Sequence, residues 1–453
     1  MIIFGGFMKG NGISDKELDA MCKKFRSSTK NLAMVNAVSR TPIKQVALNW
    51  DRFATISHTF SDTITNELAV TSQGQSGRCW LFAGLNLLRI YVARKHKLEE
   101  FELSQSYLFF WDKLEKANYF LESVIETAKQ PDDSRLVKYI FDGGFLFQDG
   151  GQWHMFTNLV EKYGLVPQSV YPDNEACLNS RDFNQIMKMK LREQGVFLRR
   201  MIEKDSSKKD VHLAKNKMVE EIYRMLSIHM GTPPKHFDWE FQSKDKKFHS
   251  YQDLTPHSFY KEHVKVDLKD YVCLVNSPRI FTPFHKTFTV QHLGNVIEGA
   301  PILYLNVGID EMKQAAIKAI KGNDPVWHGC DVGKYFHRDL GIMDLKLFDL
   351  ELVYDVPFNT TKEMRLNFGE SQMTHAMLFT GVHIKDKPVR WRVENSWGEK
   401  VGKKGFYIMT DEWFDEYMFE IAVHKKYLPK ALLKLLEQKP IALPPWDPLG
   451  ALA

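Results

Sequence analysis

The stretch Gln73-Gly74-Gln75-Ser76-Gly77-Arg78-Cys79-Trp80, running straight into Leu81-Phe82-Ala83-Gly84-Leu85-Asn86-Leu87-Leu88, decides the reading of this 453-residue chain. A small, turn-prone loop delivers a cysteine to the first turn of an apolar helix. Unpaired backbone N–H groups and the positive end of the helix dipole favour an anion there. A cysteine so placed tends to ionise, and the thiolate is the nucleophilic form. The alternative, a buried cysteine acting as a small hydrophobe, leaves the polar, glycine-rich approach unexplained. The segment reads as an activated thiol.

Outward from it, residues 79–96 form one helix. Ser104 reads as the N-cap of a second, beginning Gln105-Ser106-Tyr107-Leu108-Phe109-Phe110-Trp111, whose aromatic run faces a core rather than stacking bases. Gly150-Gly151 precede a third helix over 155–163, ended by Gly164 with Pro167 beyond. Upstream, residues 14–40 read as a helix opening at Ser14, with Asp15 and Glu17 in its first turn. Residues 181–230 are helical in pattern and basic, with ten Lys/Arg against four Asp/Glu between Lys188 and Lys217. That run reads first as a solvated helical face. Its alternative is a surface for a negatively charged partner, nucleic acid included, with Lys208 and Lys209 as the charges to neutralise. After about residue 290 the texture turns to short β-rich runs at 300–305, 377–382 and 405–409.

Composition excludes several classes. With 44% hydrophobic and 26% charged residues the chain resembles ordinary soluble globular proteins. A net charge of +5, from 61 basic and 56 acidic residues, singles out neither nucleic acid nor a membrane surface. No run reaches the roughly eighteen apolar residues that span a bilayer. The opening Met1-Ile2-Ile3-Phe4-Gly5-Gly6-Phe7-Met8 lacks the basic start and cleavage site of a signal peptide. Gly5-Gly6 and Gly10-Asn11-Gly12 follow no strand and do not form a nucleotide-binding loop. The five cysteines, Cys22, Cys79, Cys177, Cys273 and Cys330, are odd in number, widely spaced and without C-x-x-C. They suggest neither a disulfide framework nor a zinc site, and no metal or cofactor is expected. Asn359-Thr360-Thr361 matches a glycosylation sequon by chance, and a reducing cytosol is the expected compartment. His58, His154 and His229 lack ligand spacing and read as structural.

A nucleophilic thiol needs a base within hydrogen-bond reach, and the base needs an orienting group. Met373-Thr374-His375-Ala376-Met377 and Trp391-Arg392-Val393-Glu394-Asn395-Ser396-Trp397-Gly398 offer both. Gln73 six residues before Cys79-Trp80, a T-H-A entering a strand and then E-N-S-W-G together resemble the papain-like cysteine peptidases. Gln75-Ser76-Gly77-Arg78-Cys79-Trp80, Leu103-Ser104-Gln105-Ser106-Tyr107-Leu108-Phe109-Phe110-Trp111-Asp112-Lys113, Asp149-Gly150-Gly151-Gln152 and Trp446-Asp447-Pro448-Leu449-Gly450-Ala451-Leu452 are similar, in order, to the bleomycin hydrolase family within them. The likeness covers nearly the whole chain from about residue 60.

The resemblance implies Cys79 as nucleophile, His375 as general base and acid, and Asn395 as the residue orienting the imidazole. It implies Gln73 and the Cys79 N–H as oxyanion donors and Trp397 as a shield over the Asn395–His375 contact. The implied fold is α+β, with a helical lobe facing a β-barrel-like lobe and a large helical insertion. Its expected parts are an N-terminal helical extension (1–65), the helical lobe (66–175), the insertion (176–290), the β-rich lobe (291–430) and a C-terminal tail (431–453). The insertion accounts for the excess of the 296 positions from Cys79 to His375 over the spacing of about 130–150 in simpler papain-like enzymes. The implied activity is a cytosolic aminopeptidase acting on peptides with a free N-terminus and on the amide of bleomycin, assembled as a homohexamer and independent of membranes. Ala451-Leu452-Ala453 would lie in the unprimed side of the cleft, its carboxylate pairing with the substrate ammonium. Acyl transfer to an amine would use the same thiol and imidazole. The chain departs from the secreted pattern C-G-[SA]-C-[WY] in having Ser76 for the first cysteine and Arg78 before Cys79, and Asp149-Gly150-Gly151-Gln152 also lacks a cysteine. Both losses suit a reducing compartment.

Overall fold

The computed structural model describes residues 10–142 and 146–453. The opening octapeptide and Gly5-Gly6 lie outside the described residues. Contacts divide the chain into two compact units, one of residues up to Ile56 with Leu345–Asn359, the other of Ser57–Asp344 with Thr360–Ala453.

In the first unit the expected single helix over 14–40 is two, Asp15–Arg26 and Thr29–Val38. Ser14 and Glu17 form a reciprocal capping box at the start. Ser28 then adopts extended backbone and accepts the Asn31 N–H at 3.3 Å, so its hydroxyl starts a new helix instead of continuing the old one. Lys30 pairs with Asp355 at 3.0 Å across the unit.

The second unit carries the cysteine. Helix Cys79–His96 is largely apolar and buried from Cys79 to Ile90, as a helix this apolar must be. Arg94 and Lys95 place positive charge at its C-terminal end, where the dipole favours it. Helix Gln105–Thr127 starts where Ser104 Oγ accepts the Tyr107 N–H at 3.1 Å. Helix Trp153–Tyr163 stops at Gly164, whose φ of 70° is left-handed and whose missing side chain leaves room for the Pro256 carbonyl. Helices Arg181–Glu203 and Lys208–Met230 pack on Gln105–Thr127. The long helices of this stretch end at Met230. A hairpin of Phe237–Gln242 with Phe248–Leu254 follows, and Tyr271–Val275 and Thr287–Val290 belong to the main sheet.

In spatial order that sheet runs Ile441–Leu443, Thr287–Val290, Tyr304–Asn306, Tyr271–Val275, Met418–His424, Val326–Cys330, His375–Ile384, Pro388–Glu394, Phe406–Thr410, Ile342–Met343 and Phe336–His337. His375 opens a strand buried along most of its length and stands opposite Cys330 in antiparallel register. Pro388–Glu394 is its other neighbour and delivers Asn395 at its end.

Helix and sheet are joined by a buried ionic contact. Arg89 Nη2 and Asn86 Nδ2 both donate to Glu394 Oε1 at 2.9 Å, and the two charged side chains are each only 2% exposed. The same helix face holds the approach to the cysteine loop: Arg89 also donates to the Ala69 carbonyl at 2.8 Å and Asn86 to Thr71 Oγ1 at 2.9 Å. Burial works to raise the Glu394 pKa, and Arg89 is the chief force against it. Arg89→Met should leave this carboxylate without its counter-charge and lower unfolding stability by about 3–5 kcal/mol, as measured by urea titration.

Candidate active site

Cys79 occupies the first turn of its helix, with Arg78 before it. Arg78 is fully buried, donating to Asp173 at 2.8 Å, Ser76 Oγ at 2.9 Å and Ser106 Oγ at 3.2 Å, its guanidinium over the rings of Phe82 and Phe109. The loop ahead of the cysteine is therefore fixed from inside. Gln73, Gly77, Cys79, His375, Trp397, Asp149, Gly150, Leu452 and Ala453 line one open cleft. The structure thus brings Cys79 and His375 together from opposite ends of the sequence, and the Ala376 backbone N–H, next to His375, hydrogen-bonds toward the Cys79 sulfur.

His375 Nε2 lies 2.8 Å from Asn395 Oδ1. The Ser396 N–H donates to the same oxygen at 2.8 Å, which identifies it as the carbonyl side of the amide. Nε2 must then carry the proton, leaving Nδ1 as the acceptor turned to other work. Trp397 covers the pair, its ring centroid 4.8 Å from that of His375, and Arg338 lies over the indole at 4.9 Å.

Gln73 is held at both ends of its amide. Its Nε2 donates to the Ser76 carbonyl, and its Oε1 accepts from Ser396 Oγ at 2.6 Å. The backbones join as well, Gln73 N–H to Ser396 C=O at 2.9 Å and Gly398 N–H to Thr71 C=O at 3.1 Å. One N–H of the amide is thus committed to Ser76, and Gln73 lines the cleft beside Cys79. Ser396 was not singled out from the sequence, and its signal was its place beside Asn395 in the same motif.

Electrostatics qualify the expected easy ionisation of Cys79. Burial pushes its thiol up to about 11, with the Asp149 carboxylate adding to the rise, although N–H groups of Ala376, Trp80 and Cys79 hold it down. Burial pulls the His375 imidazole down to about 4, against the hydrogen bond to Asn395. Charging either group alone in this pocket is costly, and the helix terminus does not offset that cost for the sulfur. Moving the proton from sulfur to imidazole makes two opposite charges that offset one another's burial.

Asp149 is the cleft's polar hub. It pairs with Lys113 at 2.7 Å and accepts from the Gly77 N–H at 3.0 Å, Ser180 Oγ at 2.5 Å and Asn184 Nδ2 at 2.7 Å. Burial opposes its charge, but Lys113 and these donors together hold the carboxyl well below the usual range. The tail lies alongside. Gly151 N–H donates to the Ala453 carbonyl at 3.2 Å, Ala453 N–H to the Gly151 carbonyl at 3.3 Å, and Gln152 Nε2 to the Ala451 carbonyl. A Cβ on Gly150 would stand 2.4 Å from the Ala453 oxygen, so only glycine permits this approach.

Of the remaining cysteines, Cys177, Cys273 and Cys330 are buried and Cys22 is exposed. His154 Nδ1 sits 3.6 Å from Cys273 Sγ, away from the cleft. Among the described residues, no three His, Cys, Asp or Glu side chains cluster to hold a metal ion, and no helix is long and apolar enough to cross a membrane. In the basic run 188–217, Lys190, Arg199, Arg200 and Lys215 are engaged by nearby carboxylates. That arrangement gives the nucleic-acid alternative no support.

A thiol at a helix N-terminus, an imidazole on a facing strand and an amide behind the imidazole define a papain-like cysteine peptidase. The chain belongs to the Peptidase C1-like family, whose model matches residues 12–450. It is 42% identical to bleomycin hydrolase of Mus musculus over 98% of this chain and 100% of that protein. It is 44% identical to aminopeptidase C of Listeria innocua over 97% of this chain and 99% of the relative. The crystal structure of pepw from Lactobacillus rhamnosis superposes with a TM-score of 0.96 at 43% identity, covering 98% and 99% of the two chains.

Two measurements test the site. His375→Gln should confine iodoacetamide alkylation of Cys79 to alkaline solution, rising toward the thiol's own value of about 11. The parent should react at much lower pH because the imidazole takes the proton, and matching profiles would refute the pairing. Ser396→Ala should lower kcat/KM several-fold, up to about tenfold, the worth of one hydrogen bond. The loss should vanish in a Gln73→Ala background.

Proposed function

We propose that this chain is an aminopeptidase that hydrolyses N-terminal peptide bonds through an acyl-thioester on Cys79. Its catalytic residues are Cys79, His375 and Asn395. His375 Nδ1 takes the thiol proton as sulfur attacks the scissile carbonyl, and the oxyanion receives N–H bonds from Gln73 Nε2 and the Cys79 backbone. The imidazolium then protonates the departing amine. A water, deprotonated by the same imidazole, cleaves the thioester and releases the N-terminal residue as an acid. Asn395 keeps the ring in the tautomer this sequence needs, and Trp397 keeps water from the contact. Oxyanion donors of this kind are worth about 3–4 kcal/mol each.

The observation that carries the exopeptidase reading is the tail. Ala451-Leu452-Ala453 lies in the cleft, hydrogen-bonded to Gly151 and Gln152 as an extended substrate would be. It blocks the side of the cleft that would hold residues ahead of the scissile bond. Relatives named aminopeptidase C and bleomycin hydrolase support the same assignment. Hydrolysis of the amide of bleomycin is the corresponding activity that the name of one relative suggests.

A reducing, cytoplasmic setting suits the Gly77–Asp149 tie, made of hydrogen bonds alone. We further propose homohexameric self-association, supported by exposed apolar side chains along the helical pair: Met189, Phe197, Leu213 and Ile228 are between 54 and 76% exposed. Sedimentation would read the assembly directly.

A panel of aminoacyl fluorogenic amides, with free and with acetylated amino groups, tests the activity. Hydrolysis should be confined to free-amine substrates and abolished by Cys79→Ala. Deleting residues 451–453 should admit the acetylated ones, and product analysis by mass should show free acids rather than acyl-transfer products. A truncated enzyme with the parent's preference would overturn the role of the tail.

A further inference from the structure

Arg279 takes no part in the chemistry, yet it grips the segment that leads into the cleft. Its Nη2 and Nη1 donate to the two carboxylate oxygens of Asp447 at 2.7 and 3.1 Å, a bidentate pair whose side chains are 5 and 10% exposed. The guanidinium is also held from behind. Its Nε donates to Ser277 Oγ at 3.0 Å, and Ser277 N–H donates to Asn306 Oδ1 at 2.9 Å. Asn306 Nδ2 donates to the carbonyls of Ser277 and Thr282, and Thr282 N–H closes the turn on the Arg279 carbonyl at 3.0 Å. Asn306 ends strand Tyr304–Asn306 of the main sheet. Arg279 is thus fixed to the sheet without help from the tail.

Asp447 has two tasks. Besides taking the guanidinium, its Oδ1 accepts the Leu449 N–H at 2.9 Å and caps the short 3-10 turn Pro448–Gly450, while Gly450 N–H returns to the Asp447 carbonyl at 2.8 Å. Ala451 follows at once, its carbonyl taken by Gln152. Only this capped turn, with Leu449 buried, separates the ion pair from the residues in the cleft. A second grip is weaker: Trp446, 39% exposed, receives Arg135 at 3.8 Å.

We propose that Arg279 is the positioning residue that sets how far Ala451-Leu452-Ala453 enters the cleft, and so how many substrate residues are admitted ahead of the scissile bond. This rests on the tail's role proposed above. With the pair intact, the turn presents the tail at one depth. Without it, the tail loses its fixed origin and acyl-blocked amino termini gain room.

The test compares Arg279→Met, Asp447→Asn, Arg279→Lys and the deletion of residues 451–453, each on an aminoacyl coumarylamide and its N-acetyl counterpart. Asp447→Asn is isosteric and keeps an oxygen for the cap, so it serves where Arg279→Met does not fold. The deletion should raise kcat/KM on the acetylated substrate at least tenfold. Arg279→Met and Asp447→Asn should raise it at least threefold while KM for the free amine increases, with Arg279→Lys between them and the parent. A general loss of structure would depress both substrates together, whereas positioning moves them in opposite directions. An acetyl-to-free ratio unchanged in Arg279→Met and Asp447→Asn, but raised by the deletion, would overturn the role of Arg279. A ratio unmoved by the deletion would remove the tail reading and this inference with it.

Discussion

The buried contact of Glu394 with Arg89 and Asn86 is the constraint on which the rest of the structure depends. Arg89 and Asn86 stand two to three turns into the helix that Cys79 begins, and Glu394 immediately precedes Asn395. One carboxylate thereby fixes the distance between the helix that supplies the sulfur and the strand end that orients the imidazole. Its partners also reach Ala69 and Thr71, just ahead of Gln73. Three candidate functional groups from three parts of the sequence are referred to one origin. Such a junction carries desolvation that a hydrophobic one would not. What it provides instead is direction: a carboxylate with two donors on one oxygen tolerates little sliding, whereas apolar side chains can repack.

That rigidity matters because the thiol and imidazole are both buried. Each resists charge when taken singly, sulfur toward about 11 and imidazole toward about 4. The useful state is the one in which a proton has crossed between them, and its energy depends steeply on their separation in a medium of low polarity. The cost of misplacing either group therefore exceeds what an exposed pair would incur. The fixed carbonyl oxygen of Asn395, taken by both His375 and Ser396, serves the same end by allowing one tautomer.

Much of this was legible in the sequence where local chemistry decides it. The apolar run after Cys79, the Ser104 cap and the Gly164 stop gave helices whose reasons lie within a few residues of each other. The strand from His375 and the E-N-S-W-G segment were visible as motifs. What stayed hidden depends on contacts across hundreds of residues. Arg78 looked like a departure from a small residue, and only the fold reveals Asp173, Ser106 and two aromatic rings waiting to enclose it. Helix 14–40 divided because the Ser28 hydroxyl competed for a backbone N–H, a contest periodicity does not register. Strands Tyr271–Val275 and Thr287–Val290 fell unremarked in a stretch read as a mainly helical insertion, since short apolar runs declare their period only once a sheet neighbour is known.

The loss of cysteine at position 76 and around Gly150 acquires a physical meaning in the cleft. Asp149, charged and held by Lys113, accepts the Gly77 N–H, so the cysteine loop and the Gly-Gly segment are still tied, through a hydrogen bond in place of a covalent bridge. The tie leaves the edge of Gly150-Gly151 free to pair with extended backbone. One face of that segment abuts the Trp80 ring, where a Cβ on Gly151 would stand 2.6 Å away, and the other meets the tail. Any extended peptide can make the bonds that Ala453 makes there, because they involve only backbone groups. Competition for the edge is therefore blind to side chains and is decided by where the tail is held. On the proposed role of the tail, selection for a peptide's end follows from its anchorage, and the chemistry at Cys79 needs no knowledge of it.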